Sequence, residues 1–193
     1  KNITKRIFFI LSLISFWPLF FSSQTRAENL VITEFMANNK DTIKDGYGEN
    51  SDWIELHNPS SSEVNLAGLF LTDDRNNLRK WSFPEEAKIN SGAYLVIFAS
   101  GKIRNSPKDP EGNLHTNFSI DDNGEYLALI GTDGLKIIQE FEPILASTPK
   151  NISYGIKTVD ANLWSFGYFL EPSPGEQNNG PIVSGFVNDT KFS

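Results

Sequence analysis

Two glutamates, Glu34 and Glu55, sit inside apolar runs, Val31-Ile32-Thr33-Glu34-Phe35-Met36 and Asp52-Trp53-Ile54-Glu55-Leu56-His57. A pair of carboxyl groups is the machinery of glycoside hydrolysis, one as acid and one as base or nucleophile. That chemistry also needs a deep, aromatic-lined cleft, which a small all-β domain rarely supplies. A Glu between apolar neighbours is expected instead to face outward from a strand or to bond loop backbone amides. The chain has two histidines, His57 and His115. A Ser–His–acid relay needs a His between nucleophile and acid. Neither His adjoins a Gly-x-Ser-x-Gly turn, so both are expected at the surface or at a strand end. The chain has no Cys, which excludes a disulfide framework, thiolate metal sites and a Cys nucleophile. Three oxygen-rich runs could attract a hard cation: Asp45-Gly46-Tyr47-Gly48-Glu49, Asp73-Asp74-Arg75-Asn76-Asn77 and Asp121-Asp122-Asn123-Gly124. None has the twelve-residue calcium-loop spacing, and Asp and Asn are what turns require in any case. Weak calcium binding, if present, is expected near Asp73 and Asp74. Trp53, Trp81, Trp164, Tyr94 and Tyr126 could stack on sugars. All but Trp164 fall within strand patterns, so core packing is their expected role. No catalytic, cofactor-binding or metal-ligating residue is assigned, and no cofactor is expected.

The elements that must position these residues read as strands. Leu30 to Met36 and Asp52 to Asn58 are rich in β-branched and apolar residues. Gly68 to Thr72 is a short apolar run, and Arg79 to Pro84 alternates with Trp81 and Phe83 on one face. Tyr94 to Ala99 is continuously apolar and suits a strand buried on both faces. Glu125 to Ile130 and Leu135 to Phe141 flank Gly131-Thr132-Asp133-Gly134, whose Asp-Gly pair suits a tight hairpin. Ser153 to Ile156 and Trp164 to Phe166 are weaker late strands. No window shows a 3.6-residue period, and Pro84 to Ala87 could make a single turn. About seven to nine short strands with turn signals between them predict an all-β chain folded as a β-sandwich. Asn38 to Ser51 and Lys102 to Asn113 are the longer loops.

The N-terminus reads as an address. Lys1, Lys5 and Arg6 precede the apolar run Ile7 to Phe21, which is short of the about 20 residues of a membrane span. Thr25 and Ala27 place small residues before a cut at Glu28, so residues 1–27 are predicted to be a signal peptide. The full chain carries 17 Lys and Arg against 24 Asp and Glu, net −7. The segment before Glu28 holds four basic residues and no acid, which leaves the mature chain at −11. Such a charge argues against a nucleic-acid partner. Residues 28–179 are read as the domain. Residues 180–193, after Pro172-Ser173-Pro174-Gly175, are read as a linker or the truncated start of a further domain.

In order along the chain, these segments resemble the lamin tail domain family, and its bacterial secreted branch in particular. Val31-Ile32-Thr33-Glu34-Phe35-Met36-Ala37-Asn38 resembles its opening strand. Ser51-Asp52-Trp53-Ile54-Glu55-Leu56-His57-Asn58 resembles its aromatic–x–Glu–Leu–x–Asn strand. Leu66-Ala67-Gly68-Leu69-Phe70-Leu71-Thr72-Asp73 is similar to its Gly–aromatic–x–leucine–Ser/Thr–Asp segment. Lys80 to Pro84 and Ile89 to Ile97 follow its middle strands, Leu114 to Ser119 and Gly124 to Leu129 its bacterial variants, and Pro172 to Asn178 its Ser-Pro-Gly-x-x-Asn close. The resemblance covers about residues 30 to 178. It implies an immunoglobulin-like β-sandwich that is a non-catalytic secreted or cell-surface module for adhesion, spacing, or protein or polysaccharide interaction, without stable membrane insertion after cleavage. The alternative is an accessory targeting domain of an extracellular enzyme whose catalytic part lies beyond residue 193.

Overall fold

The computed structural model describes residues 27–102, 106, 108–142, 148–160 and 163–186. The predicted signal segment before Ala27 lies outside the described residues. Among the described residues, thirteen strands follow one 3-10 turn at Ala27–Asn29, and no helix is long and apolar enough to cross a membrane.

The strands are β1 (Val31–Met36), β2 (Asp52–His57), β3 (Val64–Asn65), β4 (Phe70–Thr72), β5 (Trp81–Ser82), β6 (Lys88–Ile89) and β7 (Tyr94–Ala99). They continue with β8 (Leu114–His115), β9 (Leu127–Ile130), β10 (Ile137–Phe141), β11 (Ser153–Asp160), β12 (Leu163–Phe169) and β13 (Ile182–Val183). A seven-stranded sheet has the order β13-β12-β11-β1-β2-β7-β8. A four-stranded sheet, β10-β9-β4-β5, packs on it, and β3 pairs with β6. The two sheets make the expected immunoglobulin-like sandwich. The Asp133-Gly134 turn joins β9 to β10 as read, with Gly134 at φ 68°. There a side chain beyond hydrogen would be strained.

Alternation divides the large sheet. Ile32, Ile54, Leu56 and Ile97 share one buried cluster with Leu71, Trp81, Phe83, Leu127 and Leu129. Trp53 and Phe98, at the other parity of their strands, form a separate cluster with Ile43 and Val96, and Met36 joins it because the β1–β2 register shifts between Ile32 and Glu34. Side chains one apart on a strand point to opposite faces, so the second cluster lies on the outer face.

The structure departs from the sequence reading in several places. Tyr94, Leu95 and Val96 are only half-buried, so just the second half of β7 is enclosed. The late strands β11 and β12 are the longest of those described, with 8 and 7 residues. Tyr168 and Phe169 of β12 pair with Val183 and Ile182, so the sheet runs past residue 179.

An irregularity in the large sheet aims the two glutamates. The β1–β2 register shifts between Ile32 and Glu34, after which Glu34 faces Glu55 directly. Thr33 is the extra residue of a β-bulge, a device that re-aims side chains. On the other side, Glu34 faces Gly155. A Cβ on Gly155 would come within 2.2 Å of the Thr33 carbonyl oxygen, so only glycine fits there.

Candidate functional site

The bulge delivers both glutamates to the same face, and both are fully buried at 0% exposure. Thr33 Oγ1 donates to Glu55 Oε1 at 2.6 Å, and the Gly175 amide donates to Glu55 Oε2 at 2.6 Å. Ser153 Oγ donates to Glu34 Oε1. The Ser173 amide donates to Glu34 Oε2 at 3.3 Å. The segment Ser173–Asn178 is therefore a cover over the pair. Asn178 fastens it: its Nδ2 donates to the Thr33 and Ile156 carbonyls, both at 3.0 Å, and its Oδ1 accepts from Ser173 Oγ at 2.7 Å.

Burial pushes Glu34 up to about 6 and Glu55 up to about 7, against the opposing pull of these hydrogen bonds. Raised carboxyl groups are a mark of acid catalysts. Here neither faces a cleft, and their donors are structural. The pair binds the closing segment to the sheet; it has no access to a glycosidic bond. The donors Ser153, Ser173 and Gly175 were not identified from sequence. The Ser-Pro-Gly-x-x-Asn close was the available signal.

His57 ends β2 half-buried and stacks flat on Tyr94, with ring centroids 4.3 Å apart. Desolvation pushes its pKa down. His115, expected at the surface or a strand end, closes β8 but is only 3% exposed. Its ring lies between Phe98 and Tyr47, at centroid distances of 5.5 and 5.8 Å. Nδ1 meets Ser100 Oγ at 3.1 Å and Nε2 meets Asp109 Oδ2 at 3.2 Å. The succession Ser100–His115–Asp109 has the parts of a nucleophile relay, but reversed on the ring: a serine-hydrolase imidazole meets serine through Nε2.

Asp109 is also saturated. It accepts the amides of Gly46 (2.7 Å), Glu111 (2.9 Å) and Asn113 (2.9 Å), and Asn113 Nδ2 at 2.9 Å. Burial works to raise its pKa, but the bonds from Asn113, Gly46 and His115 outweigh it and hold the carboxyl well below its usual range. A Cβ on Gly46 would sit 2.6 Å from Asp109 Cγ. The cluster ties the 38–51 loop and the 102–113 loop to β8, which is a structural task.

The oxygen-rich runs are turns. Asp45 Oδ1 accepts the Tyr47 and Glu49 amides at 3.0 and 2.9 Å. Asp74 Oδ1 accepts the Asn76 amide and Asp121 Oδ1 the Asn123 amide, each at 2.8 Å. Asp73 pairs with Lys80 at 2.5 Å. Among the described residues, no group of three or more His, Asp or Glu gathers as a metal would require. Asn58, the last residue of the aromatic–x–Glu–Leu–x–Asn run, is fully buried. Its Nδ2 donates to the carbonyls of Ser62, Ile89 and Asn90.

Trp53, Trp81 and Tyr126 are buried, as their strand patterns implied. Trp164 is 49% exposed. It lines a cleft of about 500 Å³ together with His57, Tyr94, Gln177 and Asn178. A second cleft, about 390 Å³, adjoins it and shares Val31, Pro59 and Trp164.

A sandwich of two sheets, with an acid pair sealed as a structural clamp and an open aromatic cleft beside it, defines an immunoglobulin-like β-sandwich module. The chain belongs to the Lamin Tail Domain family, whose model matches residues 23–142, well over half of its length. The match takes in β1 to β10; the hairpin β11–β12 and the closing segment come after it. No curated protein matches the chain.

Proposed function

We propose that this chain is a secreted or cell-surface module that holds rather than converts: an adhesion, spacing or presentation domain within a larger protein. The observation that carries this reading is the sealing of Glu34 and Glu55. The two raised carboxyl groups that could run acid–base chemistry are spent on fastening Ser173 and Gly175. The Lys1–Ala27 segment supports export through its basic start and apolar run. An accessory targeting role beside an extracellular enzyme is the second reading, favoured by the open cleft at Trp164.

The test has two parts. N-terminal sequencing of exported protein is expected to begin at Glu28. Purified chain is expected to show no turnover on a panel of polysaccharide, ester and nucleic-acid substrates. Turnover that disappears in Glu34→Gln or Glu55→Gln would overturn the reading.

A further inference from the structure

The two clefts that share Trp164 have an unusual composition. No Asp, Glu, Lys or Arg lines either of the two clefts beside Trp164 among the described residues, although charged residues make up 21% of the chain. The one titratable base there, His57, is held toward its neutral form by desolvation. Tyr94 stacks on it and is half-buried. Trp164 stands at the junction of the two clefts with half of its surface in solvent. Among the described residues, no hydrogen bond engages the side chains of Tyr94, Gln177 or Asn29, which line these clefts. Their polar atoms are thus open to a ligand.

An exposed indole, a phenol and side-chain amides without charge suit a ligand that has apolar faces and many hydroxyls. The geometry points to an uncharged saccharide bound along the two clefts, with Trp164 and Tyr94 as the stacking surfaces and Gln177 as a hydrogen-bonding arm. An anionic glycan finds no counter-ion among the described lining residues and meets a chain of net charge −7. An extended peptide would seek an unpaired strand edge. The strands contributing Val31 and His57, β1 and β2, have partners on both sides, and on the edge strand β10 the Gln139 side chain already bonds the Ile32 amide and carbonyl. This inference rests on the reading of the module as a binding domain and adds its ligand class.

The test uses the full exported chain and affinity electrophoresis in gels containing hydroxyethylcellulose, laminarin, galactomannan or neutral xylan, with hexasaccharides followed by tryptophan fluorescence. Retention by at least one neutral polymer is expected, with a saturable fluorescence change and little dependence on salt. Trp164→Ala is expected to weaken binding about tenfold, the loss of roughly one aromatic contact, at an unchanged melting point. Trp164→Phe should recover part of it. Phe166→Ala, exposed on the same strand but outside both clefts, should bind as the parent does. Failure of folded protein to bind any member, binding untouched by Trp164→Ala, or preference for anionic polymers or peptides would overturn the assignment. Hydrolysis of a bound polymer would overturn the non-catalytic reading instead and leave the cleft in place.

Discussion

Replacing the sealed carboxyl groups should change how stability depends on pH. Glu55 ionises at about 7 and Glu34 at about 6 in the folded chain, against an ordinary value of 4.5. A pKa raised by folding means that the folded state prefers the proton. Below pH 4.5 both states hold it and nothing is lost. As pH rises from 4.5 through 7, the unfolded chain gives up its protons first, so unfolding is progressively favoured. Each pH unit between the two values is worth about 1.4 kcal/mol. Integrated from pH 5 to pH 8, Glu55 contributes about 2–3 kcal/mol of lost stability and Glu34 about 1–2. Part of the Glu55 rise comes from the Glu34 charge itself, so the pair together is worth about 3–4 kcal/mol.

Other shifted groups act on the same slope, Glu125 among them, its carboxyl raised by burial. Asp52, raised to about 6 by burial, acts in the same direction. His57, lowered by desolvation, acts in the opposite one, because its neutral fold is favoured as pH rises toward 6.5. All of them remain in the variants, so the comparison of slopes isolates the pair. Urea unfolding followed by tryptophan fluorescence at pH 5 and pH 8 should show the parent losing about 3–4 kcal/mol more than Glu34→Gln/Glu55→Gln. Glu55→Gln alone should remove more than half of that difference. The amides reproduce the hydrogen bonds imperfectly, and that loss applies equally at both pH values. Parallel slopes for parent and double variant would refute the argument that burial, rather than the Ser and Gly donors, governs these carboxyls.

Trp81, buried with its ring edge-on to Phe83 at 4.7 Å, should lose about 3–5 kcal/mol on substitution by Ala. An unshifted thermal melt would place it outside the core. Asn178→Ala leaves the buried Thr33 and Ile156 carbonyls without its donors and should cost about 2–4 kcal/mol. Hydrogen exchange at the Gly175 amide should rise with it, and unchanged exchange there would mean that the closing segment is held by something else.

The strands that were legible in the sequence are those with a local signal. β1, β2, β7 and the β9–β10 hairpin each carry an apolar run or an Asp-Gly turn in a short stretch of chain. β11 and β12 were underestimated because Gly155 and Gly167 interrupt their patterns, and those glycines answer to neighbours rather than to their own strand. Gly155 makes room for the Thr33 carbonyl, and Gly167 for the Val183 carbonyl, 2.9 Å from where its Cβ would lie. β3, β6 and β8 are two-residue ladders, too short for any period. The burial of Glu34 was hidden because its donors lie 119 and 139 residues away, and Gly175 is 120 residues from Glu55. His115 was different. Ser100 and Asp109 are 15 and 6 residues from it, so the cluster was local in sequence. Its burial depended on Phe98 and Tyr47 closing over the ring, which no spacing reveals.

The outer face of the seven-stranded sheet carries the acid pair beneath the closing segment. Where the closing segment crosses β1 and β2, the face holds two acids with raised pKa values and no opening. One residue before the Asn178 clamp, Gln177 lines the open cleft, where the described residues supply flat rings and amides but no carboxylate. The same seal that raises the carboxyl groups toward neutrality denies them a substrate. Among the described residues that line this cleft, the one imidazole is His57, itself stacked on Tyr94 and desolvated. Catalysis needs the proton donor and the bound ligand within hydrogen-bond reach of one another. In this fold the closing segment stands between the raised carboxyl pair and solvent.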